Sequence, residues 1–215
     1  MLLLGIIYII GILYLMMKDV GKFVVENYKR CWAFLLECRW FVVFIVGLFA
    51  LSFLIGFVWP HFFEEKIFEM LGEMVLEFEG KGAWESVWMI FVNNMIASFV
   101  AMLLGIGIGF FPLMACVMNG YLAGFVGRYA SEVEGVWVLW RLLPHGIFEL
   151  PAVLISMGIG LRLGVGVLRL GLQSKNNKND IKLILIEGCR FFVFVILPLL
   201  LLAAIIEGIL ISIVS

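Results

Sequence analysis

Residues 40–59 read WFVVFIVGLFALSFLIGFVW, twenty residues without a charge and with a tryptophan at each end. As a helix rising 1.5 Å per residue this stretch is about 30 Å long, the thickness of the hydrocarbon core of a bilayer, and indole rings favour its two interfaces. It is therefore read as a transmembrane helix. Working outward, comparable apolar stretches cover 2–17, 86–111, 112–127, 142–161 and 191–214. The expected fold class is all-α: a polytopic transmembrane helix bundle of about six spans, forming one integral membrane domain over 1–215. Composition agrees, with 64% hydrophobic and 14% charged residues and a mean hydropathy of +1.15. A soluble domain is nearer half apolar and a quarter charged, and could not hide this much apolar surface. No nucleic-acid partner is expected.

The stretch 2–17 is short but uncharged, and it lacks the basic start and small-residue cleavage site of a secretory signal, so it is read as a retained first span. Pro112 suits the first turn of a helix, which places a tight turn at Phe110–Pro112 and leaves 112–127 as a short or re-entrant fourth span. The four charged connections, Lys18–Arg39, Pro60–Glu85, Arg128–Arg141 and Arg162–Arg190, hold 5, 2, 2 and 6 basic residues. Cytoplasmic loops collect Lys and Arg. The first and last connections are thus expected in the cytoplasm and Pro60–Glu85 outside, in a multi-pass protein of the cell membrane. Both ends of the chain then lie outside.

Two connections carry helical periodicity. Phe63, Ile67, Met70, Leu71, Met74, Val75 and Phe78 form an apolar stripe beside Glu64, Glu65, Glu69, Glu73 and Glu77, predicting an external acidic amphipathic helix. It is either a lid with a solvated acidic side or a docking surface for a basic partner. Residues Val20 to Leu36 predict a cytoplasmic amphipathic helix whose Lys22, Lys29 and Arg30 suit an anionic leaflet. The cysteines, Cys31, Cys38, Cys116 and Cys189, fall in or near the cytoplasmic half and are expected as free thiols.

Helices in lipid associate through close backbone approach, which needs small residues in rows four apart. Such rows are Ala97, Ala101, Gly105 and Gly109; Gly120 and Gly124; and Ala152, Ser156, Gly160 and Gly164. The three helices that carry them are expected to form the tight centre, and the same rows make a homodimer an option. Of the ionisable groups, Glu149 and Glu207 fall within predicted spans, together with His145, Asn93, Asn94 and Asn119. Ionisable groups at membrane depth cost several kcal/mol unless paired or hydrated, which makes each a functional hypothesis. His145 and Glu149 share one helix face. The group is expected to converge on one polar pocket in the outer half, serving either as a hydrogen-bonded network that fixes helix register or as an ion or metal site at His145 and Glu149. No cofactor beyond such an ion is implied. No catalytic set is visible, so the chain is read as a non-enzyme, with a membrane metalloenzyme as the remaining alternative.

Three segments, Asn93-Asn94, Met118-Asn119-Gly120 and Leu142-Leu143-Pro144-His145-Gly146-Ile147-Phe148-Glu149-Leu150-Pro151-Ala152, together resemble the stage II sporulation protein M family. The resemblance is clear from Trp88 to Arg162 and is one of hydropathy elsewhere. Carried over as positions are Asn93, Asn94, Asn119, Gly120, Pro144, His145, Gly146, Glu149 and Pro151. The resemblance implies a membrane anchor and scaffold, which in endospore formers gathers cell-wall-degrading partners at the septal membrane. The wider family includes organisms that make no spores. The expected function is accordingly a non-enzymatic scaffold for other membrane or cell-envelope proteins, the alternative being a transporter or channel with its site at Asn93, Asn94, His145 and Glu149.

Overall fold

The structure, a computed structural model, describes the backbone of residues 2–138, 143–172 and 178–214, with side chains over 19–138 (positions 75, 78 and 83 apart), 146–171 and 180–209. Among the described residues there is no strand. The helices are α1 (Leu2–Val58), α2 (Glu64–Phe78), α3 (Ala83–Leu103) with a short 3-10 turn (Leu104–Ile106), α4 (Phe110–Glu134), α5 (Leu143–Leu172), α6 (Lys178–Phe191), a π-helical turn (Phe192–Ile196) and α7 (Leu197–Val214).

Five helical stretches among the described residues are long and apolar enough to cross a membrane: Asp19–Val58, Trp84–Ile106, Phe110–Glu134, Gly146–Gly171 and Asp180–Ile209. Large apolar side chains such as Val43, Phe44, Leu51 and Leu54 stand exposed around them. In water they would form a patch far beyond what a soluble monomer shows, so lipid is their solvent. Tryptophans mark its limits. Trp40 and Trp59, 70% and 57% exposed, lie about 28 Å apart along α1, and Trp84 and Trp88 flank the same level as Trp59 on α3.

Four expectations about the spans and their connections are corrected. The separate first span at 2–17 lies outside the residues whose side chains are described, but the chain reversal expected after it does not occur: α1 runs unbroken from Leu2 to Val58. Charges at Lys18–Arg39 end an apolar run without ending a helix, and no proline intervenes before Pro60. The turn between the next two spans comes earlier than Phe110–Pro112. It is made by Ile108 and Gly109, both left-handed (φ 57° and 76°), and Pro112 sits buried in the first turn of α4. The fourth span is full length, 25 residues rather than a short or re-entrant piece. The stretch Arg162–Arg190, read as a loop, is largely helix, because α5 continues to Leu172 and α6 begins at Lys178.

At the α6–α7 junction, Pro198 offers no N–H, and the preceding turn widens so that the N–H of Leu197 bonds to the Phe192 carbonyl. The result is one nearly continuous helical passage.

The bundle is arranged around α5, which packs against α1, α3, α4, α6 and α7. Glycine sets the closest approaches. A Cβ on Gly105 would lie 2.0 Å from the carbonyl oxygen of Gly160, and one on Gly164 would lie 2.1 Å from the amide nitrogen of Gly109. The equal spacing of these pairs makes α3 and α5 parallel neighbours. The row Gly120–Gly124 meets α1 rather than α3 or α5: added Cβ atoms would strike the backbone at Phe49 and Phe53, and one on Gly56 would strike Tyr121. Two tight pairs, α1 with α4 and α3 with α5, thus replace the expected three-helix centre. Ala97 is exposed, whereas Ala101, Ala152 and Ser156 are buried.

Candidate functional site

The predicted polar residues separate by depth. Asn94 and Glu149 each precede their members of the Gly105–Gly160 contact by eleven residues, about 16 Å along parallel helices, so they share one level. Both are half-buried. The contacts of Gly158 with Val42 and of Arg162 with Glu37 make α5 antiparallel to α1 and put Glu149 level with Leu51, within a few ångströms of the midpoint between Trp40 and Trp59. One turn from Asn94, Ser98 is fully buried, and its Oγ has no hydrogen-bond partner among the described residues. Asn94, Ser98 and Glu149 thereby place polar groups near the middle of the membrane on the helices α3 and α5.

The other members with described side chains do not join them. Asn93 is exposed. Asn119 is exposed on α4, and its amide donates to the carbonyl of Ala115 at 2.8 Å, on its own helix. Gly188 packs on Ile159 and Met102, and Glu207, nineteen residues further along, lies about 13 Å beyond the Glu149 level, near the level of Trp59. Among the described residues, Asn94 and Glu149 therefore share one half-buried level, while Asn93, Asn119 and Glu207 lie apart from it. The side chain of His145 lies outside the described residues, and with it the expected metal pair; among the described residues no three metal-binding side chains cluster.

At one end of the bundle α2 is held by its beginning. Tyr129 donates to Glu64 at 2.6 Å, and Phe68 meets Phe125 and Tyr129 edge-on at centroid distances of 5.3 and 5.0 Å. Ile67 is buried against the bundle. The entering chain is tied by Tyr121, whose hydroxyl lies 2.7 Å from the Phe62 carbonyl and 3.0 Å from that of Trp59. Beyond this clamp Met70, Met74 and Leu76 stand exposed, as do Glu65, Glu69, Glu73 and Glu77. The apolar stripe of α2 is only partly covered by its own chain.

The opposite end holds charges that a reading by loops and spans does not identify as a site. Arg162 on α5 donates to Glu37 on α1 at 2.7 Å and to the Cys38 sulfur at 3.2 Å, and its guanidinium lies 5.0 Å from the Phe34 ring centroid. Glu187 and Arg190 pair on α6. The available signal was Gly164, a member of the small-residue row beyond Arg162, which implies that the helix continues past the charge. All four cysteines are free, and Cys31, Cys38 and Cys116 are buried.

The sequence pattern of the family described as Stage II sporulation protein M matches residues 40–210. Over 120 residues the chain is 28% identical to an uncharacterized protein of Methanocaldococcus jannaschii, a match covering 55% of this chain and 52% of that one. The chain thus spans about half the length of the curated relative it matches. No solved structure matches it.

Proposed function

Because the chain belongs to the stage II sporulation protein M family, we propose that it is a non-enzymatic membrane scaffold whose α2 receives a basic partner protein on the external side. The half-covered stripe of α2 carries this reading. A lid that only closed its own bundle would bury its apolar face along its length, whereas here Met70, Met74 and Leu76 stay open beside four exposed glutamates. Aliphatic and methionine side chains provide contact area, and the carboxylates steer a positively charged surface towards it. The positive-inside rule supports the sidedness, since α2 and its flanks are poor in Lys and Arg whereas the Lys18–Arg39 and Arg162–Arg190 segments are rich in them. A photoreactive residue in place of Met74 in native membranes tests it. The reading expects a discrete protein adduct that disappears when Glu65, Glu69, Glu73 and Glu77 become Gln. Adducts with lipid or with this chain alone would contradict it.

A second reading, as a transporter or channel, draws on one observation: Glu149 and Asn94 lie near the midplane, where transporters commonly hold substrates and coupling ions. Liposome flux that is lost in Glu149→Gln and His145→Ala would place this reading above the scaffold.

A further inference from the structure

At the end of the bundle away from α2, a cavity of about 910 Å³ opens between α1, α5 and α6. Its geometry follows from the Glu37–Arg162 pair, which sets the antiparallel register of α1 and α5. Each step down α1 from Glu37 is matched by an equal step up α5 from Arg162. Ala33 therefore comes level with Gly166, and Arg30 with Arg169, two helical turns beyond the ion pair and on the same faces. All four residues line the cavity. Small side chains in its middle leave the space open, and two guanidiniums border it from opposite walls.

Arg30, Arg162 and Arg169 share the lining with three acids, Glu37, Asp180 and Glu187. Glu37 is engaged by Arg162 and Glu187 by Arg190. Arg30 has an exposed partner on its own helix, Glu26 at 3.3 Å, a pairing of little strength in water. Arg169 has no ion-pair partner among the described residues, and the remaining acid of the cavity, Asp180, stands in the first turn of α6, where the helix dipole favours it. Two like charges opposed across a hollow repel, and an anion between them turns that repulsion into two attractions. Guanidinium groups match phosphate oxygens in pairs.

We propose that this cavity binds a phosphate group clamped between Arg30 and Arg169, with Phe34 and Ile184 as part of its apolar wall. The phosphate belongs either to a soluble phosphorylated molecule or to a phospholipid headgroup raised towards the cavity, since the arginines lie about 15 Å beyond the Trp40 level, past a headgroup layer of about 5–8 Å.

The full-length protein in neutral detergent is titrated separately with inorganic phosphate, with short-chain phosphatidylglycerol and with the phosphate-free dioctanoylglycerol, binding being read by native mass spectrometry and thermal shift. Saturable binding of phosphatidylglycerol alone identifies a headgroup, and saturable binding of inorganic phosphate that competes with it identifies a soluble source. Affinity for the phosphate-bearing probe should fall by about tenfold or more in the double variant Arg30→Gln/Arg169→Gln. A similar loss is expected in Gly166→Leu, which fills the hollow and leaves every charge in place. Arg39→Gln, which alters an arginine stacked on Trp40 outside the cavity, should bind as the parent does. No saturable binding of either phosphate probe, equal binding of dioctanoylglycerol, or an equal loss in Arg39→Gln would overturn the proposal.

Discussion

Gly105 and Gly160 touch backbone to backbone: a single methyl on Gly105 would sit 2.0 Å from the Gly160 carbonyl oxygen and 2.7 Å from its Cα. Lipid supplies no hydrophobic force to drive helices together, so van der Waals contact of this kind holds α3 against α5. Gly105→Ala must therefore separate the helices. A loss of about 1–3 kcal/mol is expected in thermal or denaturant unfolding in detergent. Gly47→Ala, with nothing within 4 Å of the new atom, should be neutral or slightly stabilising. Equal effects would mean that the glycine contact does not hold the pair.

The Arg162–Glu37 bridge joins α1 to α5 where both leave the apolar slab. The Arg162 side chain is 19% exposed and that of Glu37 59%, so the two ends are not equivalent. Arg162→Gln, which also removes the contacts with Cys38 and Phe34, should cost about 1–2 kcal/mol, and Glu37→Gln less, because water can replace that carboxylate. The exchange Glu37→Arg with Arg162→Glu should recover part of the loss. Unfolding curves of the three variants decide this.

Legibility in the sequence varied with the kind of signal. The span at 40–59 was readable because uncharged length and flanking tryptophan are sufficient for it. The unbroken α1 was not, since Lys18 marks where lipid-compatible composition ends while a helix ends only where a breaker or a lost hydrogen bond stops it. Pro112 attracted the turn that Ile108 and Gly109 make, because proline fits the first turn of a helix as well as the bend before it. Small-residue rows announced that Gly120 and Gly124 meet another backbone; that the backbone belongs to α1 depends on Gly56 facing them, which no single helix discloses. Glu149 and Asn94 were identifiable as polar groups at membrane depth. Their common level, and the departure of Asn119 and Glu207 from it, required the register between helices.

That common level is measurable. Nitroxide labels on Asn94→Cys and Glu149→Cys, compared by collisional relaxation with oxygen and a water-soluble quencher, should report the same depth near the bilayer centre. A label on Glu207→Cys should lie about 13 Å shallower. Equal depths at 149 and 207 would restore a single pocket and remove the layered arrangement.

The clamp on α2 has its own readout. Tyr129→Phe removes the 2.6 Å bond to Glu64, and hydrogen exchange over residues 64–71 should accelerate while exchange in α5 stays unchanged. If exchange in α2 is unaltered, its seat on the bundle does not depend on this hydroxyl.

Both the docking surface and the arginine cavity require α2 and Arg169 to lie on opposite sides of the membrane. Single cysteines in place of Glu73 and Arg169, in a chain whose four native cysteines are replaced, can be challenged in intact cells with a membrane-impermeant maleimide. The account predicts immediate labelling at 73, and at 169 only after the cells are opened. Labelling of both positions from the same side would contradict it.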